Sequence, residues 1–247
     1  MTRKSRSRRS LAFVLASTLL TGLTSAGLSA FRVPPTYAAQ QTQAVQTTVE
    51  NGAATEQPSY KSGDFYLEGS RVYVHVGKTG FGHDHAIIGN IKEASLHLGA
   101  EQSAGEIVFD MKSFQADTDA ARKYIGLEGT TDASTQQQVN ANMLGPSVLD
   151  VNRFPTATFR INSAKPHSAT SSRGLPQYEL SGDFTLHGVT RPIRFLADVE
   201  MSNGWQHLRG GFTLLQTDYQ ITPFSKAFGA VGVTNQLSIW GDVWVAP

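Results

Sequence analysis

From Tyr60 onward the apolar residues of this chain fall at every second position. RVYVHVG sets Val72, Val74 and Val76 on one face and Arg71, Tyr73 and His75 on the other. GEIVFDM groups Ile107, Phe109 and Met111, and TATFRI groups Ala157, Phe159 and Ile161. YELSGDFTLHG aligns Tyr178, Leu180, Gly182, Phe184 and Leu186, and RPIRFLADVE aligns Ile193, Phe195, Ala197 and Val199. WQHLRGGFTLLQ contributes Leu208, Gly210, Phe212 and Leu214, and QLSIWGDVWV contributes Leu237, Ile239, Gly241, Val243 and Val245. Side chains alternate across a strand, so this pattern predicts half-buried strands, and Gly- or Asn-containing turns separate many of them. Glycine recurs on the apolar face, which suits a sheet that must bend or approach another backbone closely.

One stretch leaves that rhythm. TTDASTQQQVNANMLGPSVLDVNRFP predicts a short helix over residues 133–144, with Asp132 as its cap and Gly145-Pro146 as its stop. Leu149, Val151 and Phe154 then seat the exit on the sheet. Many strands, one helix and no strand–helix alternation predict an all-β fold: an antiparallel sheet of about eight strands closed on itself as a β-barrel. Closure also removes the unpaired edges that invite aggregation.

Residues 1–38 read differently. Five basic residues precede the apolar run LAFVLASTLL at residues 11–20, and small residues follow. This is the layout of a secretory signal, with exits after Ala26, Ala30 or Ala38, and the run is too short to span a bilayer. SRRSL at residues 7–11 also resembles a twin-arginine export signal. Residues 39–59, AQQTQAVQTTVENGAATEQPS, are poor in large apolar side chains and read as a flexible tether. The barrel domain is then 60–247, and the location is outside the cytoplasm, in a periplasm or secreted.

Charge changes the picture once that leader is set aside. It holds six of the 21 Lys and Arg and none of the 20 Asp and Glu, leaving 15 against 20, a net of −5. Such a domain has no broad attraction for nucleic acid or anionic lipid surfaces. The chain has no cysteine. Disulfides, thiol catalysis, thiolate metal sites and a lipidated N-terminal cysteine as membrane anchor are therefore excluded. Nothing in the sequence separates a monomer from a dimer.

Candidate chemistry concentrates in FGHDHAIIGN, where His83 and His85 flank Asp84. Histidines two apart on a strand share a face, as zinc or copper ligands do, with His75, His97 and His187 as candidates to complete a set. Two other roles stand beside that one: contact with a ligand's polar head, or a turn in which Asp84 caps backbone amides. His187-Gly188 reads as a hairpin turn, with His187 at a pocket rim as the alternative. Phe109, Phe159, Phe184, Phe195 and Phe212, with Leu180, face inward and either fill a core or line a cavity. Trp240 and Trp244 sit on the outer face, read as packing under the helix or the tether. Asp117 and Asp119 read as solvated or capping groups. No nucleophile elbow, zinc-protease helix, P-loop or dinucleotide glycine fingerprint occurs, so the chain is not read as an enzyme.

Three stretches resemble the YceI-like family of exported, lipid-binding barrels. They are VLDVNRFPTATFRI at residues 148–161, YELSGDFTLHGVTRPIRFLADVE at residues 178–200, and the closing DYQITPFSKAFGAVGVTNQLSIWGDVWV. The resemblance implies a lipocalin-like barrel holding a polyisoprenoid lipid or an isoprenoid quinone, and it brings no catalytic residues. The chain departs from the family's early strands, where a single histidine is usual, at His83-Asp84-His85. The expectation is thus a carrier of a hydrophobic small molecule, with Phe109, Phe159, Leu180, Phe184, Phe195, Phe212 and His187 touching it. The alternatives are a metal-binding protein or metal-dependent enzyme using His83 and His85, and a structural barrel with a filled core.

Overall fold

The computed structural model describes residues 59–247. The leader expected at 1–38 lies outside the described residues, as does all but the last residue of the tether expected at 39–59.

Seven long strands run in chain order as a meander: β1 (Arg71–Gly80), β2 (His85–Leu96), β3 (Gly105–Ala116), β4 (Thr156–Pro166), β5 (Gln177–Leu186), β6 (Val189–Ser202) and β7 (Trp205–Leu215). A two-residue strand β8 (Ser225–Lys226) precedes the last long strand, β9 (Val231–Val245). Every neighbouring pair is antiparallel, and β9 lies between β7 and β1, so eight long strands close into a barrel. The short β8 pairs with the start of β9.

The closure follows from features the sequence carries. The β5–β6 and β6–β7 hairpins turn through His187-Gly188 and Asn203-Gly204, all four at positive φ, as tight two-residue turns between twisted strands require. Register shifts in β1, β2 and β4 mark bulges, which bend a strand and let a sheet curl. Gly182 lies beside the β4 bulge, where an added Cβ would meet the Arg160 carbonyl at 2.0 Å, so only glycine permits that approach.

Between β3 and β4 the chain forms two helices, not the single one expected. The helix α2 (Ala133–Leu144) has Asp132 at its cap, its carboxylate accepting from the Ser134 and Thr135 amides. The other, α1 (Asp119–Ile125), is seven residues long. It starts at Thr118, whose hydroxyl accepts from the Ala121 amide, and stops at Gly126 in the left-handed region. Seven residues are too few to show a helical period, which is why the sequence pattern passed over it. α1 packs on β1 and β2, and α2 packs on β3.

The inner faces are those the alternation marks. Val72, Ile87, Ile107, Phe159, Leu180, Leu208 and Val243 are buried in one contiguous apolar cluster. On the outer face Trp244 stacks on His207 at 3.9 Å, and Trp240 lies against Gly211. Strand pairing with β7 sets Trp244 directly over His207, and the tether expected to cover the tryptophans lies outside the described residues.

Candidate functional site

The barrel is hollow. Its interior holds a cavity of about 220 Å³, bounded almost wholly by carbon. One water needs roughly 10–15 Å³ of such space, so the void is larger by an order of magnitude. Phe109, Phe159, Leu180, Phe184, Phe195 and Phe212 all line it. Their rings form a connected series along the wall: Phe159–Phe195 at 5.7 Å, Phe195–Phe212 at 5.3 Å, Phe212–Phe184 at 5.6 Å and Phe184–Phe109 at 6.2 Å. Phe109, Phe195 and Phe212 point inward yet are only half-buried. The structure thus does not match the filled-core alternative.

His187 does not line this cavity. The tight turn holds it at φ 52, its ring packs on Phe154 at 4.4 Å, and its Nδ1 lies 3.3 Å from the Tyr219 carbonyl. Of the two readings of His187, this geometry matches the hairpin turn and not the alternative at a pocket rim. Phe154 also sits beneath Gly188, where a side chain would collide with it.

Few polar residues border the cavity. Arg71, the first residue of β1, is at one end, its guanidinium donating to the Leu67 and Ser70 carbonyls. Toward the other end, called the mouth below, are His85 on β2, Asn142 on α2 and Gln216 just after β7. Gln216 is committed to the Thr234 carbonyl at 2.7 Å.

At the mouth the His83-Asp84-His85 stretch divides by face. His85 pairs in register with the inward Val76 and borders the cavity. Asp84 serves the outer side, accepting from the Lys78 amide at 3.0 Å and lying 2.9 Å from His75 Nε2. The amide bond lowers the Asp84 pKa, and His75 adds to this against partial burial. The two histidine rings are 4.5 Å apart, and both turn toward Asp117.

Asp117 corrects the sequence reading most sharply. Its carboxylate, read from the sequence as solvated or capping, has 0% exposure. Oδ2 lies 2.7 Å from His85 Nδ1 and 3.4 Å from His83 Nε2. Oδ1 accepts from the Ala86 amide at 3.1 Å and from Arg122 Nη1 at 3.1 Å. Burial works to raise the Asp117 pKa, but hydrogen bonds from His85, the Ala86 amide and His83 outweigh it and hold it at about 2. The carboxylate is therefore ionised at neutral pH. Arg122 is itself anchored, donating to the Gly129 and Glu128 carbonyls. Asp119, by contrast, is exposed in the first turn of α1.

Sequence reasoning had found His83 and His85 but not their partner. Asp117 is 32 residues from His85 and is placed by β2–β3 pairing and a backbone at φ 55. Asp-Thr-Asp before a helix carries the signature of a cap, and Thr118 does cap α1. His75, His97 and His187, the other candidate ligands, lie outside the cluster.

A closed antiparallel barrel with a greasy hollow and a polar mouth defines a class of small-molecule-binding barrels. Within that class the chain belongs to the YceI-like family, whose domain model matches residues 65–242. It is a binding-protein family. A UPF0312 protein of Ectopseudomonas mendocina is 31% identical over 150 residues, 57% of this chain and 74% of that protein. A UPF0312 protein of Pseudomonas putida is 30% identical over 130 residues, 50% of this chain. The match spans 62% of that P. putida relative's length. Among solved structures, Burkholderia cenocepacia BcnA superposes with a TM-score of 0.50 at 15% identity, over 74% of this chain and 100% of BcnA, a likeness of fold. A polyisoprenoid binding domain from Saccharophagus degradans gives a TM-score of 0.47 at 10% identity, over 75% of this chain and 99% of that domain.

Proposed function

We propose that this protein is an exported carrier that holds one long apolar, isoprenoid-like molecule, a prenyl lipid or an isoprenoid quinone, inside its barrel. The observation that carries the reading is the cavity, lined along the barrel by aliphatic and phenyl groups and with polar groups only near its ends. Burial stabilises by about 0.8 kcal/mol per CH₂, so one five-carbon prenyl unit contributes several kcal/mol before ordering costs. An apolar tube of this kind binds tightly with few polar contacts. The polar end of the ligand then lies at the mouth, beside His85. The basic and apolar leader at residues 1–20 supports delivery outside the cytoplasm, to a periplasm or the medium. No catalytic step is assigned to the protein.

The test is organic extraction and mass spectrometry of protein expressed as the full chain. One equivalent of a prenylated molecule per chain is expected. A filled variant gives the control. At Gly241, on the cavity wall, an added Cβ meets only Val243 Cγ1 at 3.9 Å, so Gly241→Phe projects into the void without a backbone clash. That variant folds and loses most of the lipid. Repeated recovery of wild-type protein with no stoichiometric lipid overturns the proposal, as does undiminished loading of Gly241→Phe.

A further inference from the structure

The geometry points to a binding site for one divalent transition-metal ion at the barrel mouth, formed by His83, His85 and Asp117. It stands independently of what fills the hollow.

Three potential ligand atoms, one from each residue, lie within 4.8 Å of one another. Two imidazole nitrogens converge on a single oxygen, Asp117 Oδ2, at 2.7 and 3.4 Å. A metal ion bound by two imidazoles and a carboxylate needs its donors gathered about a single point in this way. His85 opens β2 and His83 lies in the turn just before it, where the chain brings the two rings to 4.5 Å of each other.

The carboxylate is prepared for this role. Arg122 and the Ala86 amide hold Oδ1, so Oδ2 faces the histidines. Arg122 is fixed in turn by the Gly129 and Glu128 carbonyls. Such partners behind a ligand set its orientation and its charge. The Asp117 backbone sits at φ 55, a conformation that costs energy for a side-chain-bearing residue and that the surrounding structure must impose. Tertiary structure therefore spends stability to bring this carboxylate to the two rings.

Access is open on one side only. The His83 side chain is 44% exposed, His85 is 16% and Asp117 is 0%. An ion enters past His83 and meets a buried anion. Two nitrogen donors and one oxygen select zinc, cobalt, nickel or copper over magnesium and calcium, which prefer oxygen alone. Three protein donors leave at least one position for water.

Cobalt(II) and zinc(II) titrations of tag-free protein expressed as the full chain and stripped with chelator test the assignment. Wild type binds one equivalent, and cobalt gives visible d–d bands that zinc quenches. His83→Ala weakens binding more than tenfold; its exposed ring makes only the 3.4 Å contact to Asp117 and a tilted contact with His85, so the variant folds. Asp117→Asn weakens binding similarly, with circular dichroism confirming its fold, while His187→Ala and His97→Ala leave affinity unchanged. Absence of a one-to-one complex in wild type overturns the site, and so does full affinity in His83→Ala. Both outcomes are read from metal alone, so loss of the lipid reading leaves this result standing.

Discussion

The two ends of the barrel are finished in different ways. At the Arg71 end the backbone does the work. Residues before β1 lie across the strand ends, with the Gly63 amide donating to the Ala246 carbonyl, the Tyr66 amide to Trp244 and the Leu96 amide to Gly63. Phe65 is buried beneath that crossing, and the wholly buried Ser70 donates to the Tyr66 carbonyl and accepts from the Trp244 amide. At the mouth, side chains do the work. Arg122 of α1 reaches Asp117, while Gln136 and Asn140 of α2 satisfy the Ala116 carbonyl and amide at 2.8 and 2.7 Å. An end tied by strand-like backbone bonds around an apolar plug is permanent. An end tied by polar side chains keeps donors and acceptors where a ligand head or an ion can use them.

The largest effect expected from that contrast is at Phe65. Phe65→Ala removes the plug from a packed site and costs about 3–5 kcal/mol in denaturant unfolding. Metal affinity at the mouth stays within twofold, because the two ends share no side chain. A cost below about 1 kcal/mol means that the Arg71 end is not sealed by packing.

Next comes the ion pair at the mouth. Arg122→Met keeps the apolar stem but leaves the buried Asp117 carboxylate short of a partner, at a cost of about 3 kcal/mol. Adding Asp117→Asn to that variant removes the stranded charge and returns at least about 1 kcal/mol. A double-mutant cycle reads this directly. Strict additivity of the two substitutions breaks the contrast, since it means that the mouth is not held by their interaction.

The same contrast explains what was legible in the sequence. The wall is written locally: alternate residues from Val72 to Val245 declare their face, and each of the six expected apolar contacts lies on the cavity. Turn chemistry at His187-Gly188 and the Asp132 cap of α2 are also short-range. The mouth is written non-locally. Nothing near Asp117 announces that β2 will bring two histidines to it, and a positive φ on an aspartate has no reliable sequence signal. α1 left only Thr118 and Gly126 as marks, a cap and a stop on either side of a seven-residue stretch too brief to show periodicity. His187 stood open between two roles for a related reason. A turn residue can point to a pocket rim or across a neighbouring loop, and only the packed Phe154 decides between them.

The smallest effect tests whether α1 stays docked so that Arg122 can reach inward. Tyr124, on the same helix, stacks flat on Tyr73 of β1 at 3.6 Å. Burial, then the nearby Asp242 carboxylate, push its pKa up to about 12 from the usual 10, and Tyr73 is raised by the same two causes. The phenol binds its proton more tightly in the folded state than in the unfolded one. Its contribution to stability is therefore complete below pH 10 and is lost as pH rises from 10 toward 12. Absorbance at 295 nm should show a tyrosine step near pH 12 that Tyr124→Phe removes, while stability at pH 7 changes by less than about 0.5 kcal/mol. Phenylalanine keeps the stacked ring and loses only the ionisable group, so the step reports docking and not folding. If Tyr124 instead titrates near pH 10, the helix stands off the barrel wall, and the inward reach of Arg122 to Asp117 loses the platform that makes the mouth different from the sealed end.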